Sequence, residues 1–254
     1  MQTLHRLTVV AVLVLLSTNV RSAPAQERTP DELRCQAGRA RRVSVGLVAG
    51  EASCLRRCQR HAARAGLPPD ECRAPFSGRT LACTEAIERR TAADLFGRAC
   101  KRDCPECYPS CAADTAASEV DYTAGQVRLA ALAVYCSPGD RAVTRCQDTV
   151  AKLLPRFAAA KAVCLIQCHL AGGDARRCNP AAGFDPLTTR CIDAAATRTA
   201  AAIDRRCETA RGGTKPACFG ASTGASWVEL VAGVVDAGQP VLFCGSPSGA
   251  FVER

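Results

Sequence analysis

Apolar residues recur at helical spacing along most of this chain, and period-two alternation is confined to "PVLFC" (240–244). Recurrence at three and four positions marks helices with one buried face. The first begins at "TPDE" (29–32), with Thr29 as N-cap, Pro30 at N1 and Glu32 at N3. It runs to about Arg64, weakened by Gly46 and Gly50. "GLPPDE" (66–71) and "GGDARRCNP" (172–180) read as breaks. An Ala- and Arg-rich second helix is predicted over 80–101 and another over 188–207. A third apolar segment follows each Pro-x-Cys-aromatic element, at 105–108 and 216–219. In its second occurrence Trp227, Leu230, Val231, Val234 and Val235 share one helical face, which reads as core.

The same elements are written twice. "RCQ" occurs at 34–36 and 145–147, and "CLRRC" (54–58) answers "CLIQC" (164–168). "TLACTEAIERRTAADLFGRAC" (80–100) matches "TTRCIDAAATRTAAAIDRRC" (188–207), and "PECY" matches "PACF". "ASEVDYTAGQVRLAALAVYC" (117–136) lies over "ASWVELVAGVVDAGQPVLFC" (225–244) without a gap. Cysteines 35, 54, 58, 72, 83, 100, 107 and 136 thus fall on 146, 164, 168, 178, 191, 207, 218 and 244, at offsets of 106 to 111. Only Cys104 and Cys111 lack counterparts. The chain reads as two tandem repeats, 26–140 and 141–254. One difference is Pro155, which should kink or split the first helix of the second repeat.

The remaining segment, 1–25, reads as a secretory signal peptide. Arg6 precedes the apolar run "LTVVAVLVLL" (7–16), and small residues near 22–25 offer cleavage sites. Ten apolar residues are about half of a membrane span, and no later segment is long enough either, so no transmembrane anchor is expected. The expected location is secreted or periplasmic, and in such an oxidising compartment eighteen cysteines are read as cystines. Staples matter more here because aromatics make up only 4% of the chain and much of its apolar content is Ala. The formal charge of +9 falls to +7 without Arg6 and Arg21. The basic residues are mixed with acids and lack interleaved aromatics, so nucleic acid is not an expected partner.

Spacing predicts the pairing. If helices one and two form an antiparallel hairpin, cysteines at their far ends bridge in nested fashion. Cys35 to Cys54 is 19 residues and Cys83 to Cys100 is 17. At ~1.5 Å per residue these span about 28 and 26 Å, a near match. The expected pairs are Cys54–Cys83 and Cys35–Cys100, with Cys164–Cys191 and Cys146–Cys207 in the second repeat. Cys58 and Cys168, one turn further on, clip Cys72 and Cys178. Cys107–Cys136 and Cys218–Cys244 would tie down the third segment, leaving Cys104–Cys111 as a local loop. Cysteines at i and i+4 of one helix point the same way, which favours partners on a neighbouring helix over each other. The expected fold is all-α: two tandem disulfide-stapled helical hairpins, each with a third apolar helical segment.

Other chemistry finds little support. "CLIQCH" (164–169) resembles a widened covalent haem motif, but it holds one residue too many and the first repeat has Gln59 where His169 stands. His61 and His169 are the only histidines after the leader, which argues against His-based zinc sites. A thiolate-only site for Cu(I), lined by Cys54/Cys58, Cys100/Cys104 and Cys164/Cys168, is the alternative to pairing. C-x-x-C at 104–107 has no βαβ setting around it. The acids of "DTAASEVD" (114–121) lack EF-hand spacing and read as partners of a helix dipole. No nucleophile motif or phosphate loop is present, "GSPSG" (245–249) reading as a turn, so no enzyme, cofactor or metal is expected.

The run "RCQDTVAKLLPRFAAAKAVCLIQCH", then "TTRCIDAAATRTAAAIDRRC" and the Pro-x-Cys-aromatic tail, resembles uncharacterised Cys-rich tandem-repeat secreted proteins of environmental bacteria. The resemblance covers most of the chain after the leader. It implies a bacterial envelope or extracellular setting and carries over no activity and no functional residue. The expected role is a structural or binding module with a protein or glycan partner. The alternative is an exported Cys-thiolate protein that sequesters Cu(I).

Overall fold

A computed structural model describes residues 29–106, 108–136, 140–171, 178, 183–208 and 213–243. The expected signal segment, 1–25, lies outside the described residues. Among the described residues the chain is all-helical, "PVL" (240–242) included, where alternation had suggested extended backbone.

Helix α1 (Pro30–Arg41) opens on the predicted capping box, Thr29 and Glu32 each bonding the other's backbone N–H. A π-helical stretch, Arg42–Val48, carries it without a break into α2 (Ala49–Ala65). Gly66, at φ 68°, ends α2 in the left-handed conformation that Gly adopts without strain. Gly50 does not break the helix. A Cβ there would stand 2.8 Å from Ile87 Cγ2, so its absence lets α2 lie close against the next helix.

That helix is α3 (Gly78–Asp94), followed by the short α4 (Arg98–Arg102). The expected continuous helix over 80–101 is therefore broken. The break turns Leu95 and Phe96 inward onto Cys35, Cys100, Tyr108 and Ala116, and that burial outweighs the backbone bonds lost. Helix α5 (Ala113–Val134) completes the first half.

In the second half α6 (Arg141–Leu170) and α7 (Pro186–Cys207) start on Asp140 and Asp185, whose carboxylates accept from the first free N–H groups. Helix α8 (Gly224–Phe243) closes the chain. Its apolar face is narrower than expected: Trp227, Val228, Val231 and Val235 pack inward while Leu230 and Val234 are exposed. Helix α6 packs against α7 and α8 of its own half and also against α1 and α2 of the first.

Pro155 sits inside α6 without splitting it. It removes one ladder bond, and packing on four neighbouring helices offsets that loss. The site has a counterpart. Offsets of 110 or 111 put Pro155 against Ser44 or Val45, inside the π-helical stretch. Cys146 and Cys164 lie 18 positions apart, about five α-helical turns, so they share a face. Cys35 and Cys54 lie 19 apart. The wider i→i+5 winding of the π stretch takes up the additional residue and returns Cys54 to the face of Cys35.

Candidate functional site

The cysteines form the frame. Cys35–Cys100 and Cys146–Cys207 each hold their Cα atoms 4.7 Å apart. Cys54–Cys83 and Cys164–Cys191 each stand at 5.9 Å. Cys58–Cys72 and Cys168–Cys178 stand at 5.8 and 5.7 Å. Cys104–Cys111 closes a loop of its own. These seven are pairs expected from the sequence, six from helical spacing and Cys104–Cys111 as the pair left over. All sixteen described cysteines are bonded, so the Cys54/Cys58, Cys100/Cys104 and Cys164/Cys168 pairs present no thiolate to a metal in this state.

The eighth bridge corrects the sequence reading. Cys136 is bonded to Cys218, in the other half of the chain, and so neither Cys107–Cys136 nor Cys218–Cys244 forms. Cys107 and Cys244 themselves lie outside the described residues. The physical reason lies in the end of α5. Val134 and Tyr135 are buried against Cys146, Val150, Leu154, Ile203 and Phe219 of the second half, which brings Cys136 to Cys218. The second half reciprocates. Phe243, which aligns with Tyr135, packs on Ala37 and Ala40 of α1, and the Tyr108 hydroxyl donates to the Leu242 carbonyl at 2.6 Å. Each third helix thus ends in the partner half.

Between the helices of each half lies a buried charged group. In the first, Glu51 of α2 is 0% exposed, and neither carboxylate oxygen has a hydrogen-bond partner. Arg128 of α5 holds its Nε 3.6 Å from Glu51 and also pairs with Glu88 of α3. Phe76 covers the guanidinium at 5.2 Å. Burial, reinforced by Glu88 and only partly offset by Arg128, pushes the Glu51 carboxyl up to about 7. In the second half Lys161 of α6 donates to Asp236 at 2.7 Å and to the Ala232 carbonyl at 3.1 Å, with Phe184 at 5.8 Å from the ammonium. Burial raises the Asp236 carboxyl, and Lys161 offsets part of that rise.

The two centres occupy the same positions. Offsets of 110 and 108 lay Glu51 on Lys161, Arg128 on Asp236 and Phe76 on Phe184. Cation and anion have exchanged helices, and the loop phenylalanine faces the cation in both. A second set of positions differs in polarity. Arg39 is paired with Glu119 at 2.6 Å and stacked 4.0 Å over Tyr108. Their counterparts are Val150, Trp227 and Phe219, an apolar group with the two rings at 5.1 Å. Glu119 is thus an ion-pair partner rather than a helix-dipole partner. Beside Trp227 opens a cleft of about 340 Å³, lined by Ile203, Asp204, Lys215, Phe219 and Thr223. Asp204 is engaged there, accepting from the Gly224 N–H at 2.6 Å.

The haem-like "CLIQCH" is a packing element. Cys164 and Cys168 are in separate bridges, and His169 is buried with its ring stacked 3.9 Å from that of Phe243. Among the described residues, Cys35, Cys100 and Cys111 bring three potential ligand atoms within 4.8 Å of one another, all three as disulfide sulfurs. Sequence reasoning missed the charged centres. The signal was present, because two aligned positions reverse sign together.

No known protein family, curated protein or solved structure matches the chain. Among the described residues no helix is long and apolar enough to cross a membrane.

Proposed function

We propose that this chain is an exported, disulfide-framed helical scaffold, a structural or binding module of the cell envelope or extracellular space, without catalysis. The observation that carries the reading is that all sixteen described cysteines are in disulfides, one of them joining the two halves. Such a frame is the product of an oxidising compartment, which agrees with the leader-like segment at 1–25. Each bridge contributes about 2–4 kcal/mol, mainly by restricting the unfolded chain. The matched Cα spacings and the exchanged ion pair support two copies of one three-helix unit, as in the Cys-rich tandem-repeat secreted proteins the motifs resemble. A partner, protein or glycan, would meet a rigid surface bearing Tyr122 and Leu129 on α5 and Leu230 and Val234 on α8, all exposed. Storage of Cu(I) needs free thiols, and the frame leaves none among the described residues.

The test is the intact mass of protein exported through an oxidising route, taken without reductant, before and after thiol labelling. The expected mass is eighteen hydrogens below that of the reduced chain, with no label. Labelled thiols that bind Cu(I) stoichiometrically would replace the scaffold reading with metal sequestration.

A further inference from the structure

Two cystines meet at one point of the first half, and they differ in accessibility. Cys35–Cys100 is buried in a core of Leu95, Phe96, Tyr108 and Ala116. Cys104 is exposed, whereas its partner Cys111 is half-buried and packs against that same core. The sulfurs of Cys35, Cys100 and Cys111 lie within 4.8 Å of one another. The second half holds the aligned bridge, Cys146–Cys207, with Cys146 buried and Cys207 half-buried at the cleft beside Trp227, and it has no counterpart of Cys104 or Cys111.

We propose that Cys104–Cys111 is a redox-active bridge that passes reduction from solvent to the buried Cys35–Cys100 bridge by internal thiol–disulfide exchange. An external dithiol reduces Cys104–Cys111, gives up two electrons and two protons, and becomes a disulfide itself. The Cys111 thiolate then attacks Sγ of Cys35 or Cys100. A Cys111–Cys35 or Cys111–Cys100 bond forms, the Cys35–Cys100 bond breaks, and the released thiolate takes a proton. The number of disulfides is unchanged in this second step. Exchange runs through a thiolate on a neighbouring sulfur, so proximity decides which bridge follows. The outcome unlocks α1 from α4 in the first half and leaves the second half locked. An exposed bridge beside a buried one thereby makes the rigidity of one half answer to the surrounding redox poise.

The test starts from chain verified by mass as fully oxidised, so that failure of the disulfide frame itself is seen first. Cys104→Ser leaves Cys111 as the free thiol. After incubation at about pH 8, where a thiol is partly ionised, alkylation and peptide mapping are expected to find label on Cys35 or Cys100 as well as Cys111. Label confined to Cys111 overturns the proposal. Cys111→Ser, with Cys104 free, is expected to carry label on Cys104 alone, and label spread to Cys35 or Cys100 there would deny Cys111 its part. The unmutated chain gives an independent reading. A neighbouring thiol acts at an effective concentration in the millimolar range, so with about 0.1 mM dithiothreitol Cys35–Cys100 should open about tenfold faster in the unmutated chain than in the Cys104→Ser/Cys111→Ser double variant. Equal rates overturn the relay.

Discussion

Glu51→Gln should stabilise the protein at neutral and alkaline pH and change little in acid. The side chain is fully buried, its oxygens accept no hydrogen bond, and its one nearby cation is shared with Glu88. Its carboxyl therefore titrates near 7 in the folded chain rather than at 4.5. The folded state binds this proton more tightly than the unfolded chain does, so stability is lost as pH rises from about 4.5 through 7. At ~1.4 kcal/mol per pH unit the loss approaches about 3 kcal/mol. Gln keeps the shape and has no charge to desolvate. Guanidinium unfolding of oxidised protein, followed by helical circular dichroism, gives the difference between variant and parent. That difference should be small at about pH 4 and grow to about 2–3 kcal/mol at about pH 8. A difference that stays constant across this range would refute the assignment. Glu88→Gln supplies a second check: it removes the repelling carboxylate and frees Arg128, so the transition should move to lower pH.

The second half should show the opposite vulnerability. Asp236→Ala leaves the Lys161 ammonium, 3% exposed, without its counter-charge and should cost about 3 kcal/mol or more. Lys161→Met should cost less, because the Asp236 side chain is 25% exposed against 3% for Lys161; urea unfolding that ranks the two the other way sinks the argument. Tyr135→Phe removes a buried hydroxyl that has no hydrogen-bond partner and should raise stability by about 1 kcal/mol, with a lowered melting temperature as the contrary result. Sixteen of the eighteen cysteines are paired, so non-reducing peptide mapping should recover Cys107 joined to Cys244. A Cys107–Cys136 peptide would contradict the exchange of third-helix ends.

How much of this was legible can be argued from individual residues. Thr29, Pro30 and Glu32 announced α1 because a capping box is a local device whose parts all lie within one turn. The four hairpin bridges were legible because two antiparallel helices leave few ways to match their lengths, and the two loop clips followed from the turn beyond them. The partner of Cys136 was not. Cys107 and Cys218 align with one another, so either fits the same pattern of helix lengths as a partner for Cys136. What separates them is the burial of Val134 and Tyr135 against the second half, a packing event with no local signature. The break at Leu95–Gly97 was hidden for the same reason.

The charged centres are a different case, because the two halves of the sequence align with one another. Glu51 over Lys161 and Arg128 over Asp236 reverse sign together, and two positions that do so within one sequence report a contact. A mixed arrangement would place like charges together in the interior, at a cost that no surface pair approaches. Read that way, the pair fixes where the third helix lies against its own hairpin, while Cys136–Cys218 fixes where its end goes. Both hold at once only if the halves lie face to face, and the packing of α6 on α1 and α2 provides that contact.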